Sequence, residues 1–182
     1  MTAAMLFRLR RLFRRAARSE EGASTVEFAL IFPAFVTVLF MSVEAGLLTA
    51  RIVMLERSLD IAVRDLRLGI MENPTHDLVK ARICDNVVIL PDCLNTVMLE
   101  MRPVSRTTWN VFEESPICVD RTADIQPLTT FVTGGENQLM LVRACAVFDP
   151  VFPTSHLGLR LPLDQSGGYQ VVAMSAFVNE PR

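Results

Sequence analysis

The sequence lacks the residue patterns on which common enzyme classes rely. It contains no G-x-S-x-G motif, no phosphate-binding glycine loop and no H-E-x-x-H motif, and it has only two histidines. Ser155 and His156 are neighbours along the chain rather than a spaced nucleophile and base. We therefore predict that the protein is not an enzyme and that it uses no cofactor.

The chain also lacks an excess of charge of either sign. Its 182 residues carry 18 basic and 20 acidic side chains, a formal net charge of -2, and 51% of the residues are hydrophobic. This composition excludes a disordered polar chain, a multi-span membrane protein and a strongly basic nucleic-acid binder. One main domain with an additional segment is the expectation for this length.

The few charges are unevenly distributed. Residues 1–22 contain six arginines and only two acidic residues, and an apolar run follows them. A basic segment that ends where an apolar run begins is typical of a cytoplasmic leader before a membrane-spanning helix. No further basic patch supports nucleic-acid binding, so we predict a membrane partner and no nucleic-acid partner.

The apolar run extends from Phe28 to Val43 without a charge, and it reaches Ala50 if Glu44 is included. As a helix the shorter run would span about 24 Å and the longer about 34 Å, against about 30 Å for a hydrocarbon core. One membrane span is therefore predicted. The arginine distribution predicts that the N-terminus stays in the cytoplasm and that everything after Arg51 lies outside. For a bacterial chain in the inner membrane, outside means the periplasm or the cell surface.

A cleaved secretory signal is the structural alternative. Val43, Glu44 and Ala45 loosely match the small residues that precede a signal cleavage site, and a cut there would release a soluble domain. The apolar run is, however, longer than the usual h-region of about 7 to 15 residues. In addition, Glu27 at its start would be costly without a partner. These features favour a retained membrane helix.

Beyond the span, apolar residues recur at helical spacing. The members of this stripe are three or four residues apart, and charged residues occupy the other faces. The stripe comprises Ile52, Leu55, Leu59, Ala62 and Leu66. The spacing predicts a transmembrane and stalk helix over residues 23–69, with Gly69 as its C-terminal cap.

The remaining residues, 70–182, carry helix signals followed by strand signals. A second helix is predicted from Pro74 or Thr75 to about Val88. Strands are predicted from Leu94 to Pro103, over residues 139–148 and over residues 169–178. Together these elements predict an α+β fold, in which the long N-terminal helix is followed by a small antiparallel β-sheet domain.

Four cysteines, Cys84, Cys93, Cys118 and Cys145, fall on the predicted outer side of the membrane. An even number of cysteines in an oxidising compartment favours disulfides, and four cysteines allow three pairings. A metal site is the alternative, but the paired C-x-x-C spacing is missing. We favour Cys84 with Cys93, which would close the second helix onto the loop around Pro91, and Cys118 with Cys145, which would join the middle of the chain to a strand.

Residues 22–30 read GASTVEFAL, with arginines before them and Pro33 inside the apolar run. This segment resembles the N-terminus of type IV prepilin-like proteins and, more narrowly, the TadE-like minor pseudopilins of the tight adherence (Tad/Flp) pilus. The matching positions are Gly22, Ala23, Glu27 and Phe28. The resemblance is close over residues 14–67 and recurs near the C-terminus, in the strands around residues 139–148 and 171–177 and in the ending Asn-Glu-Pro.

The resemblance implies a function in pilus assembly or initiation, and hence in surface adhesion. A prepilin peptidase on the cytoplasmic side would cut between Gly22 and Ala23, and Glu27 and Phe28 would help to register subunits. The implied partners are this peptidase, other Tad minor and major pilins, and the inner-membrane assembly platform. A periplasmic adaptor or binding domain that stays permanently anchored in the membrane is the alternative.

Overall fold

A computed structural model of the chain describes residues 23–105, 107–108, 115–153, 163–164 and 166–181. The chain divides into two compact units, Met1–Ser42 and Val43–Arg182. The predicted leader, residues 1–22, lies outside the described residues.

A long helix, α1, spans Ala23–Arg67 and contributes residues to both units. In the first unit its apolar side chains are exposed, including Phe28 and Phe35. Thr37 Oγ1 and Ser42 Oγ donate to the Pro33 and Val38 carbonyl oxygens of the same helix, each at 2.8 Å. Among the described residues, α1 is the one helix long and apolar enough to cross a membrane. An apolar surface with internally satisfied polar groups suits a lipid environment.

In the second unit, one side of α1 belongs to the hydrophobic core. Leu55, Leu59, Ala62 and Leu66 are buried as the periodicity predicted, with Ile52 packed against them. The same side of the helix also buries polar residues that the sequence did not single out for burial. They recur every seven residues and are Glu44, Arg51, Ser58 and Asp65.

Two of these buried polar residues, Ser58 and Asp65, have hydrogen-bond partners within residues 55–82. Ser58 Oγ donates to the Leu55 carbonyl oxygen at 2.9 Å. Asp65 accepts a hydrogen bond from Arg82 Nε at 2.7 Å. The prediction that Arg51 and Asp65 lie on faces away from the core is wrong, because each has a partner on another element that offsets the cost of burial.

Helix α1 ends at Arg67 with a glycine cap. Gly69 adopts a left-handed conformation with φ of 68°. Its N–H donates to the Leu66 carbonyl oxygen, and the Ile70 N–H donates to that of Asp65. This pair of bonds satisfies carbonyls that the helix leaves without partners. A side chain at position 69 would be strained at this φ.

Helix α2 spans His76–Asp85, and Thr75 is its N-cap, with Oγ1 accepting the Leu78 N–H at 3.3 Å. A short helix, α3, follows at Cys93–Thr96, and strand β1 spans Val97–Pro103. Helix α2 is therefore shorter than predicted.

The prediction of a strand from Leu94 is wrong for its first three residues, which are helical. Asp92 explains the difference, because its backbone oxygen accepts the Thr96 N–H and its carboxylate accepts a hydrogen bond from Asn95 Nδ2. These bonds close one helical turn before the alternating pattern of β1 begins.

The sheet has the order β1-β2-β3 and is antiparallel throughout. Strands β2 and β3 span Leu139–Phe148 and Tyr169–Val178, which are the predicted ranges. One face of the sheet joins α1 and α2 in a single hydrophobic core. The α+β fold, with a long apolar N-terminal helix followed by a small antiparallel sheet, is confirmed.

Candidate functional site

Of the predicted processing and registration residues, Ala23, Glu27 and Phe28 lie at the start of α1. The helix begins at Ala23, whereas Gly22 lies outside the described residues. Glu27 follows four residues after Ala23, and residues at this spacing share one face of a helix. Glu27 and Phe28 are exposed, and the Phe28 ring stacks on Phe32 with centroids 4.9 Å apart. An amino group created at Ala23 would therefore lie about one turn from the Glu27 carboxylate.

Glu44 is the residue whose role sequence reasoning missed. Its side chain is 0% exposed. Its two carboxylate oxygens accept the backbone N–H groups of Val151 and Phe152 at 3.1 and 2.8 Å. A lone carboxylate inside an apolar run is a signal that could have found it, since such a group needs a partner. Cleavage after Ala45 would separate Glu44 from the loop that it binds.

Arg51 lies two turns further along α1 and binds the end of the sheet. Its Nη1 donates to Tyr169 Oη at 2.6 Å. Its guanidinium group lies 5.1 Å from the centroid of the Phe148 ring. Because Phe148 and Tyr169 are cross-strand partners at the ends of β2 and β3, one arginine contacts both strands.

Burial raises the pKa of the Tyr169 phenol, and the nearby positive charge of Arg51 opposes this shift. Tyr169 is the only tyrosine in the chain, so absorbance at 295 nm reports its ionisation alone. We expect native protein to titrate above the ordinary value of about 10, and denatured protein to titrate near that value. Because folding raises this pKa, the neutral phenol contributes its full stability to the folded protein below the unfolded pKa of about 10. The free energy of unfolding should therefore fall as the pH rises above about 10 towards the folded pKa. A midpoint of the absorbance change in native protein at or below that of denatured protein would contradict this assignment. Tyr169→Phe, which lacks the phenol, gives the background absorbance.

Both favoured cysteine pairs are joined in the structure. Cys84 and Cys93 have Cα atoms 5.6 Å apart and link α2 to the start of α3. Cys118 and Cys145 have Cα atoms 5.2 Å apart. The second disulfide packs with Val147 and Val172 on the sheet face opposite the main core. It therefore attaches the segment after residue 115 to β2.

Removing the two disulfides should cost different amounts of stability. Each should contribute about 2 to 4 kcal/mol. The Cys118–Cys145 bond closes a longer stretch than Cys84–Cys93, with separations of 27 and 9 residues. Loop-closure entropy then predicts that replacing Cys118 and Cys145 by Ala costs about 1 kcal/mol more than replacing the other pair. Urea unfolding of the two double variants measures the difference, and the reverse order would refute the entropic explanation.

The sheet face opposite the main core also holds a buried ion pair. Arg143 on β2 and Glu100 on β1 are register partners, and their side chains are only 6% and 7% exposed. Arg143 Nε lies 2.6 Å from Glu100 Oε2. Residues 115–117 form a covering segment over this face of the sheet. The Ile117 N–H donates to the Glu100 carboxylate, and the Ser115 carbonyl oxygen accepts a hydrogen bond from Arg143. These groups hold residues 115–117 against the sheet.

In the part of the chain that the structure describes, no three His, Cys, Asp or Glu side chains are grouped so that they could hold a metal ion. His76 Nδ1 lies 2.9 Å from Asp77 Oδ1, and its ring contacts Phe131 edge-on. Ser155 and His156 lie outside the described residues.

The fold and these contacts define a class of protein with one apolar N-terminal helix, suited to anchoring in a membrane, and a small disulfide-bonded α+β domain. The model of the family described as TadE-like protein matches residues 22–65 of the chain. The resemblance predicted from residues 22–30 is thus confirmed over this segment. No curated protein and no solved structure matches the chain significantly.

Proposed function

We propose that the chain is a minor pseudopilin that acts in the assembly or initiation of a Tad/Flp-type pilus. The observation that carries the proposal is the match of residues 22–65 to the TadE-like family, which begins at the glycine of the predicted processing site. The arginine-rich leader and the exposed apolar surface of α1 support insertion into the bacterial inner membrane with the N-terminus in the cytoplasm. The two disulfides support a periplasmic location for the domain.

Processing would change the chemistry at the start of α1. A prepilin peptidase that cuts between Gly22 and Ala23 removes the basic leader and creates a free amino group at Ala23. That amine and the Glu27 carboxylate can neutralise each other, within one chain or between neighbouring chains, where lipid makes an isolated charge costly. The pairing would fix the axial position of a subunit next to its neighbours.

Residues 70–182, the outer domain, would contact other minor subunits, major pilins or the inner-membrane assembly platform. We assign it no catalytic activity. Helix α1 would lie among the helices of neighbouring subunits once the protein leaves the membrane, since its first part exposes apolar side chains on every side.

Intact-protein mass spectrometry of the membrane form tests the proposal. In cells that contain the cognate prepilin peptidase, we expect the mass of a chain that begins at Ala23. An uncut chain would favour the permanently anchored adaptor, and a chain cut after Ala45 would contradict both functions. Gly22→Leu should block the cut, whereas Gly46→Ala, at a position where a Cβ meets no atom within 4 Å, should be processed normally.

A further inference from the structure

A loop of the outer domain is attached to α1 where the uncharged apolar run ends. The loop comprises residues 150–153, and its two central N–H groups donate to the Glu44 carboxylate. Glu44 directly follows Val43, the last residue of that run. The hydrogen bonds therefore fix the loop beside the first residue after the run.

The apolar run is short enough that lipid can reach the depth of Glu44 and of the loop bound to it. Residues 28–43 span about 24 Å as a helix, which is less than the roughly 30 Å of a hydrocarbon core. A hydrocarbon core that begins at Phe28 therefore extends about 6 Å past Val43, to Glu44 or beyond it. Glu44 has no solvent exposure, and protein N–H groups rather than water satisfy its charge.

The loop leaves none of its backbone donors without an acceptor. Pro150 and Pro153 have no N–H groups, and those of Val151 and Phe152 are taken by Glu44. All the backbone donors of the four residues are thus satisfied, which removes part of the cost of contact with lipid. Val151 is nevertheless 44% exposed, and Pro153 is exposed beside it.

The next charged residue along α1, Arg51, is also held by protein contacts. Arg51 lies seven residues beyond Glu44, about 10 Å further along the helix. It is bonded to Tyr169 and packed on Phe148. All three side chains are buried within the protein, so this charge, like that of Glu44, is held by protein groups rather than exposed to lipid.

We propose that residues 150–153 form a membrane-contact loop, which inserts into the bilayer interface next to the protein's own helix with Val151 leading. The occupant of this apolar surface is lipid, because Glu44, which binds the loop, directly follows the apolar run of the candidate span. The proposal rests on the membrane insertion of α1 that is part of the proposed function, and it does not depend on a role in a pilus.

Quenching of tryptophan by brominated lipid tests the proposal on the full chain in phosphatidylcholine vesicles. The chain's single tryptophan is first removed by Trp109→Phe, and one of three substitutions is then added. Val151→Trp probes the loop, Phe35→Trp probes the span, and Ile125→Trp probes a loop residue that is 87% exposed. Lipid brominated near the headgroup end of its acyl chains should reduce Val151→Trp fluorescence about twofold or more, and leave Ile125→Trp unchanged. Lipid brominated near the methyl end of its chains should quench Phe35→Trp, which lies at the middle of the run.

The outcomes separate this proposal from the proposed function. Quenching at position 35 with none at position 151 overturns membrane contact by the loop and leaves the anchor intact. Equal quenching at positions 151 and 125 also overturns it, since the whole domain would then lie on the lipid. Absence of quenching at position 35 refutes the anchor and the loop contact together.

A second variant tests the part played by Glu44. In Glu44→Gln only one side-chain oxygen can accept a hydrogen bond, whereas the loop offers two N–H groups. The new amide N–H₂ group would face one of these N–H donors and could not bond to it. We expect quenching at Val151→Trp to fall to the level of Ile125→Trp, while quenching at Phe35→Trp is retained. Glu56→Gln, at an exposed glutamate of the same helix, is the matched control and should change nothing. Unchanged quenching in Glu44→Gln would overturn the role assigned to Glu44.

Discussion

Arg143→Met should lower the free energy of unfolding of the outer domain by about 3 to 5 kcal/mol, because it leaves the Glu100 carboxylate buried without its cation. The two groups are almost inaccessible to water, so solvent cannot replace the lost partner. The substitution also removes the donor to the Ser115 carbonyl oxygen, which should loosen the segment that covers this face of the sheet. Urea unfolding of the detergent-solubilised full chain measures the change.

Two further variants make this result specific to the buried pair. Glu100→Leu combined with Arg143→Met should recover most of the lost stability, since replacing both charges removes the unpaired carboxylate. Arg67→Met breaks the exposed Arg67–Glu180 pair and should cost at most about 1 kcal/mol. If Arg143→Met were no more damaging than Arg67→Met, the buried ion pair would not stabilise residues 115–117 on the sheet.

Glu27→Ala should abolish or severely reduce pilus assembly while membrane insertion is retained. The substitution removes a charge that is costly near lipid, so the helix should enter the membrane at least as readily. It also leaves the new amino group of Ala23 without the carboxylate that would neutralise it. Counting pili by electron microscopy in cells with the complete pilus system measures assembly, and membrane flotation measures insertion.

The matched control for Glu27→Ala is Glu56→Ala, which removes an exposed carboxylate from the same helix outside the apolar run. It should leave pili unchanged. Mass spectrometry of both variants establishes whether processing after Gly22 still occurs. Normal piliation of processed Glu27→Ala would remove the registration role from this residue.

The sequence predicted the elements whose signal is local. Strands β2 and β3 have the predicted bounds because each is an apolar segment of strand length. The stripe that includes Leu55 and Leu59 is buried because a 3.6-residue period describes a helix wherever it packs. The turn after Asp92 was missed, since apolar periodicity carries no information about a side chain that bonds to nearby backbone.

The polar contacts could not be predicted because their partners are distant in the chain. Glu44 and Val151 are 107 residues apart, and Arg51 and Tyr169 are 118 apart. Periodicity assigns a charged residue to the exposed side by default, and only the tertiary fold provides the partner that permits burial. The same reason hid the Glu100–Arg143 pair, where each residue taken alone resembles a polar interruption of a strand.

The buried polar residues of α1 at positions 44, 51, 58 and 65 have a consequence for register. Leu48, Leu55 and Ala62 lie between these polar residues on the same side of the helix. The whole set is spaced alternately by four and three residues, which is a heptad repeat. A straight helix of 3.6 residues per turn drifts by about 20° per heptad, so this seam winds about 60° around α1 over its length. Sliding the outer domain by one heptad would bring Arg51 to the two N–H donors that now bind Glu44, placing a cation against donors. The repeat thus encodes a single permitted alignment of helix and domain, much as one polar pair fixes the register of a coiled coil.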